Sequence, residues 1–181
     1  LVNDGVYPRG KGRTNRAEAD AIVAEIVRHL KDPVFNKEKR TIGVVTFNTE
    51  QKSLIEDLLD EERRLNPDIE PHFGEDLIEP VFVKNIESVQ GDERDIILFS
   101  ITFGKDVSGR MTMDFGAINK SGGERRLNVA ITRARSEMIV FSSISPDEID
   151  LSRTSARGVR DLKHFLDYAK RGVKALGEAV S

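Results

Sequence analysis

The chain has 181 residues, of which 38% are hydrophobic and 33% charged, with a net charge of −3 and no cysteine. This apolar content excludes a disordered tail, and no apolar run approaches the roughly 18 residues that a membrane span needs. The missing cysteines exclude disulfides and thiolate chemistry, and the net charge excludes a cationic coat for nucleic acid. We expect one cytoplasmic domain with its core at 14–171, and flexible or linker segments at 1–13 and 174–181.

The first predicted element is a helix whose apolar stripe runs from Ile22 to Leu30, and Asn15 and Glu18 precede that stripe with the spacing of a capping box. After it, continuous apolar runs alternate with helical patterns. In chain order these are a strand at 42–47, a helix at 50–65, strands at 81–83 and 96–101, a helix at 124–135, a strand at 138–141 and a helix at 158–173. Continuous apolar runs are typical of strands buried on both faces of a parallel sheet. The pattern therefore predicts an α/β domain with a mostly parallel sheet.

Two long connections and two charged stretches complete the pattern. Residues 66–79 and 104–123 are rich in proline and glycine respectively, and connections of that length are often functional or mobile. Residues 54–70 carry a net charge of −5, and residues 120–135 carry +4. We interpret the acidic stretch as a solvated face and expect the basic stretch to meet anions.

Several kinds of catalytic site are absent from the sequence. The Walker A pattern for phosphate binding does not occur at either Gly-Lys pair. The acidic run 92–95 is not expected to hold magnesium, because its apolar strand follows it instead of preceding it. His29, His72 and His164 lack metal-binding spacing, so no metal site is predicted. We expect the chain to lack the groups that it would need to hydrolyse a nucleotide alone.

Two stretches do carry chemistry. In the predicted helix at 124–135, Leu127, Ala130, Ile131 and Ala134 share the buried face, while Arg126 and Arg133 lie along one edge of it. Guanidinium groups held in that way present a fixed fork to a phosphate. The alternative interpretation of the same spacing is a basic amphipathic helix whose arginines are only solvated.

The second stretch, 84–95, connects two buried strands, which is where parallel sheets place ligands. Gly91 permits close backbone approach, and Ser88 and Gln90 can bond a phosphate or a sugar. A plain connecting loop is the alternative interpretation of this stretch.

Read together, these stretches resemble a known family. Residues 41–51 (TIGVVTFNTEQ), 85–95 (NIESVQGDERD) and 125–135 (RRLNVAITRAR) are similar to motifs IV, V and VI of superfamily 1 helicases. The nearest group contains the nonsense-mediated-decay and Sen-type helicases, and residues 14–19 resemble the N-R-x-E-A element that precedes motif IV there. Residues 149–167 resemble large bacterial proteins of the same group. The resemblance covers 14 to about 145.

The resemblance implies a three-layer RecA-like domain, the second of two in an ATP-dependent motor. ATP and Mg²⁺ would be held mainly by the first RecA-like domain, with single-stranded DNA or RNA as the other partner and no membrane. By the family pattern, Arg133 is the arginine finger and Arg16 a second γ-phosphate contact. The residues assigned to ATP are Arg16, Gly91, Glu93 and Arg133. Those assigned to nucleic acid are Thr46, Asn48, Ser88, Gln90 and Arg126.

Two alternatives remain open. Pro146-Asp147 and Asp161-Leu162-Lys163 mimic the carboxylate pattern of PD-DxK nucleases, although Leu162 falls on a helical stripe where that motif needs a strand. The second alternative is a RecA-like module that binds nucleic acid or a partner without catalysis.

Overall fold

Four parallel strands form the centre of the computed structural model, which describes residues 1–8 and 12–177. They are β1 (Ile42–Thr46), β2 (Phe82–Asn85), β3 (Arg94–Ser100) and β4 (Ala134–Phe141). Their order in the sheet is β2-β1-β3-β4, and every pairing is parallel. The central strands β1 and β3 are buried almost throughout, as their continuous apolar runs predict. The predicted α/β class with a parallel sheet is confirmed.

Helices cover both faces of the sheet, as expected for a RecA-like domain. Their bounds are α1 (Arg16–Leu30), α2 (Pro33–Lys37), α3 (Thr49–Leu65), α4 (Gly123–Ile131), α5 (Arg157–Arg171) and α6 (Lys174–Gly177). The apolar stripes of α1 and α3 pack with Val44 and Leu98 on one face. Those of α4 and α5 pack with Ile97 and Phe99 on the other. The sheet therefore separates two apolar cores, which makes three layers.

The predicted helix at 124–135 is too long. Helix α4 ends at Ile131, and Ala134 begins β4 instead of continuing a helical face. The cause is pairing with β3, because Ala134 lies opposite Arg94 and the backbone N–H of Arg94 donates to the Arg133 carbonyl at 3.1 Å. Arg126 and Arg133 therefore do not share one helix edge. Strand β4 also begins four residues earlier than predicted, and it is only partly buried because it forms an edge of the sheet.

The two long connections are more ordered than their composition suggests. A 3₁₀ helix occupies Pro67–Phe73, and Arg63 of α3 bonds Glu70 there at 2.8 and 2.6 Å. In the second connection, Phe115 and Ile118 are buried in the core beneath α4. Gly158 permits this packing, since a Cβ at that position would lie 2.2 Å from the Ile118 carbonyl oxygen.

The sequence predicts flexible or linker segments at both ends of the chain. Tyr7 packs on Phe103 with ring centroids 5.1 Å apart, and the N–H of Val2 donates to the Ser142 carbonyl at 2.8 Å. Residues 9–11 and 178–181, which fall in the expected linkers, lie outside the described residues. Within 1–8 and 12–177, no helix combines the length and the apolar character needed to cross a bilayer.

Candidate functional site

Arg133 lies in the turn between α4 and β4, at the amino end of the sheet. Its Nε donates to the Val129 carbonyl at 3.0 Å and its Nη2 donates to the Thr132 hydroxyl at 3.1 Å. Its Nη1 stands 3.8 Å from Oε1 of Glu93, and the Arg133 side chain is only 19% exposed. The end of α4 therefore holds the guanidinium in one orientation, with Nη1 left near Glu93. We call Arg133 and Glu93 the amino-end site.

Glu93 reaches this place because it precedes the first residue of β3. Its side chain is 49% exposed, so the carboxylate is accessible beside the guanidinium. Gly91, two residues earlier, has φ +87°, and a Cβ there would meet no atom within 4 Å. The residue type at this position is therefore set by the backbone conformation, and the space around it is open. The structure thus brings three of the four predicted ATP residues to one region.

A second arginine beside this site was not singled out from the sequence. Arg135 donates from Nη1 and Nη2 to the two oxygens of Glu79, at 2.7 and 2.6 Å, and from Nε to Asp95 at 3.1 Å. Thr41 also bonds Asp95. Glu79 and Asp95 are far from Arg135 in the sequence, so no local spacing could have revealed the group. It fixes the amino ends of β1, β3 and β4 relative to each other.

The ion pairs of this group shift the pKa values of its carboxylates. Hydrogen bonds from Arg135 lower the pKa of Glu79 below its ordinary value. Burial tends to raise the pKa of Asp95, but the hydrogen bonds from Thr41 and Arg135 outweigh burial and lower it. The same contacts raise the pKa of Arg135 further above its ordinary value. All three groups are therefore charged at neutral pH.

Three of the predicted nucleic-acid residues lie near one another on the surface. Ser88 and Gln90 are exposed in the segment between β2 and β3, and the Ser88 hydroxyl donates to the Asn85 carbonyl at 3.2 Å. Arg126 of α4 donates to the Ser121 carbonyl at 2.9 Å, and its Nε is 3.9 Å from Glu87, the residue before Ser88. These side chains form an accessible polar surface between the 86–93 segment and α4.

The structure gives Thr46 and Asn48 a role other than the predicted contact with nucleic acid. Both are buried, and the Thr46 hydroxyl donates to the Asn48 carbonyl at 2.8 Å. Asn48 caps α3 by accepting from the Gln51 N–H, and its Nδ2 donates to the Arg13 carbonyl. Their polar atoms stabilise the turn from β1 into α3. Contact of these two residues with a nucleic-acid strand stays a prediction without support from this geometry.

The structure does not bring Arg16 to the amino-end site. Arg16 opens α1, is exposed, and pairs with Asp20 at 2.8 Å. Its neighbour Asn15 donates to the Thr102 carbonyl beyond the carboxyl end of β3. Since β3 has seven residues and a strand rises about 3.3 Å per residue, the two ends of the sheet are about 20 Å apart. Arg16 and Arg133 therefore lie near opposite ends of the strands.

Asn15 and Glu18, which lie on either side of Arg16 in the N-R-x-E-A element, belong to a buried polar network at the carboxyl ends of the strands. Glu18 is fully buried and accepts from Thr102 N–H at 2.7 Å, the Ser100 hydroxyl at 2.8 Å and Ser143 N–H at 3.0 Å. Asn15 donates to Glu18 at 3.3 Å. The Asn15 side chain caps α1 as predicted, but the Glu18 side chain does not complete a capping box. Burial raises the pKa of Glu18 to about 7, although the hydrogen bonds oppose that shift.

Comparison with known proteins agrees with the motif pattern. A family model described as an AAA domain matches residues 4–145. The "Uncharacterized ATP-dependent helicase MG140" of Mycoplasma genitalium is 37% identical over 183 residues, which covers 99% of this chain and 15% of that protein. The "DNA polymerase alpha-associated DNA helicase A" of Saccharomyces cerevisiae is 31% identical over 124 residues, covering 68% of this chain and 15% of that protein.

A third relative belongs to the predicted group of nonsense-mediated-decay and Sen-type helicases. The "Regulator of nonsense transcripts 1" of Caenorhabditis elegans is 27% identical over 131 residues, covering 72% of this chain and 10% of that protein. The chain spans about 15% of the length of the mycoplasma and yeast relatives. With the family model matched over most of its length and the parallel sheet described above, the chain belongs to the AAA-domain family of superfamily 1 helicases, in the group of the Sen-type and nonsense-mediated-decay proteins.

Proposed function

We propose that this chain is the second motor domain of an ATP-dependent helicase or translocase. In this proposal Arg133 is the arginine finger for ATP held, with Mg²⁺, mainly by a first RecA-like domain of the same parent protein. The observation that supports it best is the anchoring of the Arg133 guanidinium by Val129 and Thr132 beside the accessible carboxylate of Glu93. A relative named as an ATP-dependent helicase agrees with an ATP-dependent helicase as the parent protein.

The residues of the amino-end site suit a nucleotide. A preoriented guanidinium counters charge on phosphoryl oxygens without reorganising during the reaction, and such a finger is worth roughly 10³–10⁵ in rate. Glu93 can accept hydrogen bonds from sugar hydroxyls, and the open space at Gly91 permits approach to the backbone. ATP with Mg²⁺ supplies the transferable phosphoryl group. This chain then contributes charge stabilisation and orientation, and the isolated chain is expected to have no ATPase activity.

The surface formed by Ser88, Gln90 and Arg126 suits a single strand. Hydroxyl, amide and guanidinium donors bind phosphate and sugar groups without reading base sequence. DNA and RNA both offer these groups, so either would fit. Closure of the two domains on ATP and opening after hydrolysis would then move this surface relative to the strand.

The nuclease alternative is less favoured by the geometry. Asp161 and Lys163 lie within helix α5, and the Lys163 ammonium donates to the Ile149 carbonyl at 2.8 Å. Asp147 has Lys170 at 3.9 Å. Among the residues that the structure describes, no group of three or more histidine, aspartate or glutamate side chains is placed to hold a metal ion.

The test is steady-state ATP turnover of the parent protein with and without single-stranded nucleic acid. Arg133→Ala should reduce stimulated turnover by about 10³-fold or more, while a cooperative thermal unfolding transition shows that the protein stays folded. Arg160→Ala, which removes an exposed arginine from α5, is the matched control and should retain turnover. Turnover of the Arg133→Ala protein within tenfold of the unaltered protein would contradict the proposed finger. Robust turnover by residues 1–181 alone would contradict the division of roles between two domains.

The same turnover assay tests the proposed contact of Arg16 with the γ-phosphate. A loss of turnover in Arg16→Ala comparable to that of Arg133→Ala would establish the second phosphate contact that the family resemblance implies. Turnover within twofold of the unaltered protein would limit Arg16 to its surface pair with Asp20.

A further inference from the structure

We propose that a row of cations beside the start of α5 binds phosphate groups of the nucleic acid and extends the surface proposed for a single strand. Its members are Lys120, Arg153 and Arg157, which we call the α5 basic rim. The proposal rests on the proposed function, because it takes a strand on that surface as its starting point. None of the motifs that indicated the family contains these residues, and the matched family model ends at residue 145, before Arg153 and Arg157.

The start of α5 lies directly beside the start of α4. A Cβ at Gly158 would lie 2.2 Å from the Ile118 carbonyl oxygen and 3.1 Å from the backbone nitrogen of Glu124, so the two segments touch through their backbones. Because α4 leads back to the amino end of β4, it begins near the carboxyl ends of the strands. The α5 basic rim therefore lies at the carboxyl end of the sheet, away from the amino-end site.

The segment 117–121 connects the rim to the surface proposed for the strand. On one side of this segment, Arg126 donates to the Ser121 carbonyl at 2.9 Å. On its other side, the Ile118 carbonyl faces Gly158 of α5. Lys120 is exposed in the same segment. A strand that passes Arg126 therefore meets Lys120 next and then the start of α5.

The rim carries positive charge that the protein leaves unbalanced. Residues 152–160 contain three arginines and no acidic residue. All three cations of the rim are exposed, and within the part of the chain that the structure describes none of them forms an ion pair. Asp150, the nearest carboxylate to Arg153 in the sequence, accepts from the Ser152 N–H at 3.0 Å and the Ser152 hydroxyl at 2.7 Å. The arginines of the amino-end site and its neighbouring ion pairs, by contrast, stand beside carboxylates.

Phosphate is the ligand that suits these groups. Guanidinium groups present a planar fork of donors to phosphate oxygens, and the exposed hydroxyls of Ser121 and Ser155 add further donors. Contacts of this kind hold the backbone of a strand and carry no information about base sequence. An acidic protein surface would also attract these cations. The continuity of the rim with the strand surface favours nucleic acid.

Arg160 provides a matched control on the same helix. A helix turns by about 100° per residue, so Arg160 lies about 200° from Gly158 and on the side of α5 away from α4. Arg160 is exposed like Arg157, and among the described residues it has no ion pair either. The two arginines therefore differ in position but not in charge or exposure.

Fluorescence anisotropy of labelled oligothymidine and oligouridine measures binding by the parent protein at a series of salt concentrations. The variant with both Arg153→Gln and Arg157→Gln should bind each probe roughly tenfold more weakly at about 0.15 M salt, because two phosphate contacts are lost. The plot of log K against log salt should become shallower by about 1.4, since each lost contact with a single strand removes about 0.7. Arg160→Gln should leave the affinity within about twofold and the slope unchanged.

Stimulated ATP turnover separates this proposal from the proposed function. In the double variant, saturating oligonucleotide should restore turnover to that of the unaltered protein. Half-maximal stimulation should require roughly ten times more oligonucleotide, in proportion to the weaker binding. An unaltered affinity and salt slope in the double variant, with stimulated turnover intact, would refute the rim and leave the proposed function standing.

Equal losses of affinity in the double variant and in Arg160→Gln would also overturn the proposal, because they would show only an effect of net charge. Weaker binding with an unchanged salt slope would overturn it as well, since phosphate contacts would not be the cause. If the double variant fails to fold, Lys120→Gln replaces it, which leaves α5 unaltered. Its plot should become shallower by about 0.7, and an unchanged slope would refute the proposal.

Discussion

The buried carboxyl group of Glu18 makes the stability of this domain depend on pH in a direction opposite to that of most acidic residues. Burial raises its pKa from 4.5 to about 7, because no cation contacts it in the part of the chain that the structure describes. The folded state therefore binds a proton more tightly than the unfolded state. The stabilisation from Glu18 is complete below pH 4.5 and is lost as the pH rises through 7.

The magnitude follows from the two pKa values. A shift of one pKa unit corresponds to 1.36 kcal/mol, so Glu18 contributes a change of about 3 kcal/mol between pH 4.5 and 8. Glu18→Gln removes the titration and keeps the shape of the side chain. The amide nitrogen of the variant faces a backbone N–H donor of Thr102 or Ser143, and this lowers its free energy of unfolding by about 1–3 kcal/mol. That loss does not vary with pH.

The assay is urea unfolding of both proteins at several pH values from 4.5 to 8. The free energy of unfolding of the unaltered protein minus that of the Glu18→Gln variant should fall by about 3 kcal/mol across this range. Taking the difference cancels the titration of all other groups, including His72, whose pKa is lowered by burial. A difference that stays constant within about 0.5 kcal/mol would show that Glu18 is ionised in the folded protein at all these pH values, and it would refute the reasoning.

The remaining predictions concern packing and the ion pairs beside Arg133. Gly158→Ala should lower the free energy of unfolding by about 3 kcal/mol, because its Cβ would lie 2.2 Å from a backbone oxygen. The control is Gly104→Ala, whose Cβ would meet its nearest atom at 3.6 Å and which should be neutral or stabilising by up to about 1 kcal/mol. If urea unfolding gave both variants the same loss in the free energy of unfolding, the close packing of Gly158 against Ile118 would be contradicted. Arg135→Lys keeps the charge but loses the forked contact with Glu79, and its partly exposed position limits the expected loss to about 1 kcal/mol. That loss should shrink at about 1 M salt, and a loss that does not depend on salt would show that charge plays no part in it.

Much of the fold could be predicted because its signals are local. The apolar runs of β1 and β3 are continuous, and both strands lie in the centre of the sheet as such runs require. The boundary between α4 and β4 could not be predicted in the same way. Ala134 fits a helical stripe and a strand equally well, and only its pairing opposite Arg94 decides between them.

The candidate functional site was likewise predictable only in part from the sequence. The spacing of Gln90, Gly91 and Glu93, together with the string around Arg133, indicated the family and two members of the amino-end site. The ion pairs of Arg135 with Glu79 and Asp95 could not be predicted, since Glu79 lies in the connection before β2 and Asp95 in β3, both far from Arg135 in the sequence.

By itself, the sequence determined the class of fold, the family and the identity of the arginine beside Glu93, because periodicity and short motifs are properties of neighbouring residues. Only the tertiary structure decided that Arg16 and Arg133 lie near opposite ends of the sheet, and that Thr46 and Asn48 face inward. The order and direction of the strands set those positions. They depend on contacts between residues that are 40 to more than 100 positions apart, as between Glu93 and Arg133 or Glu18 and Ser143.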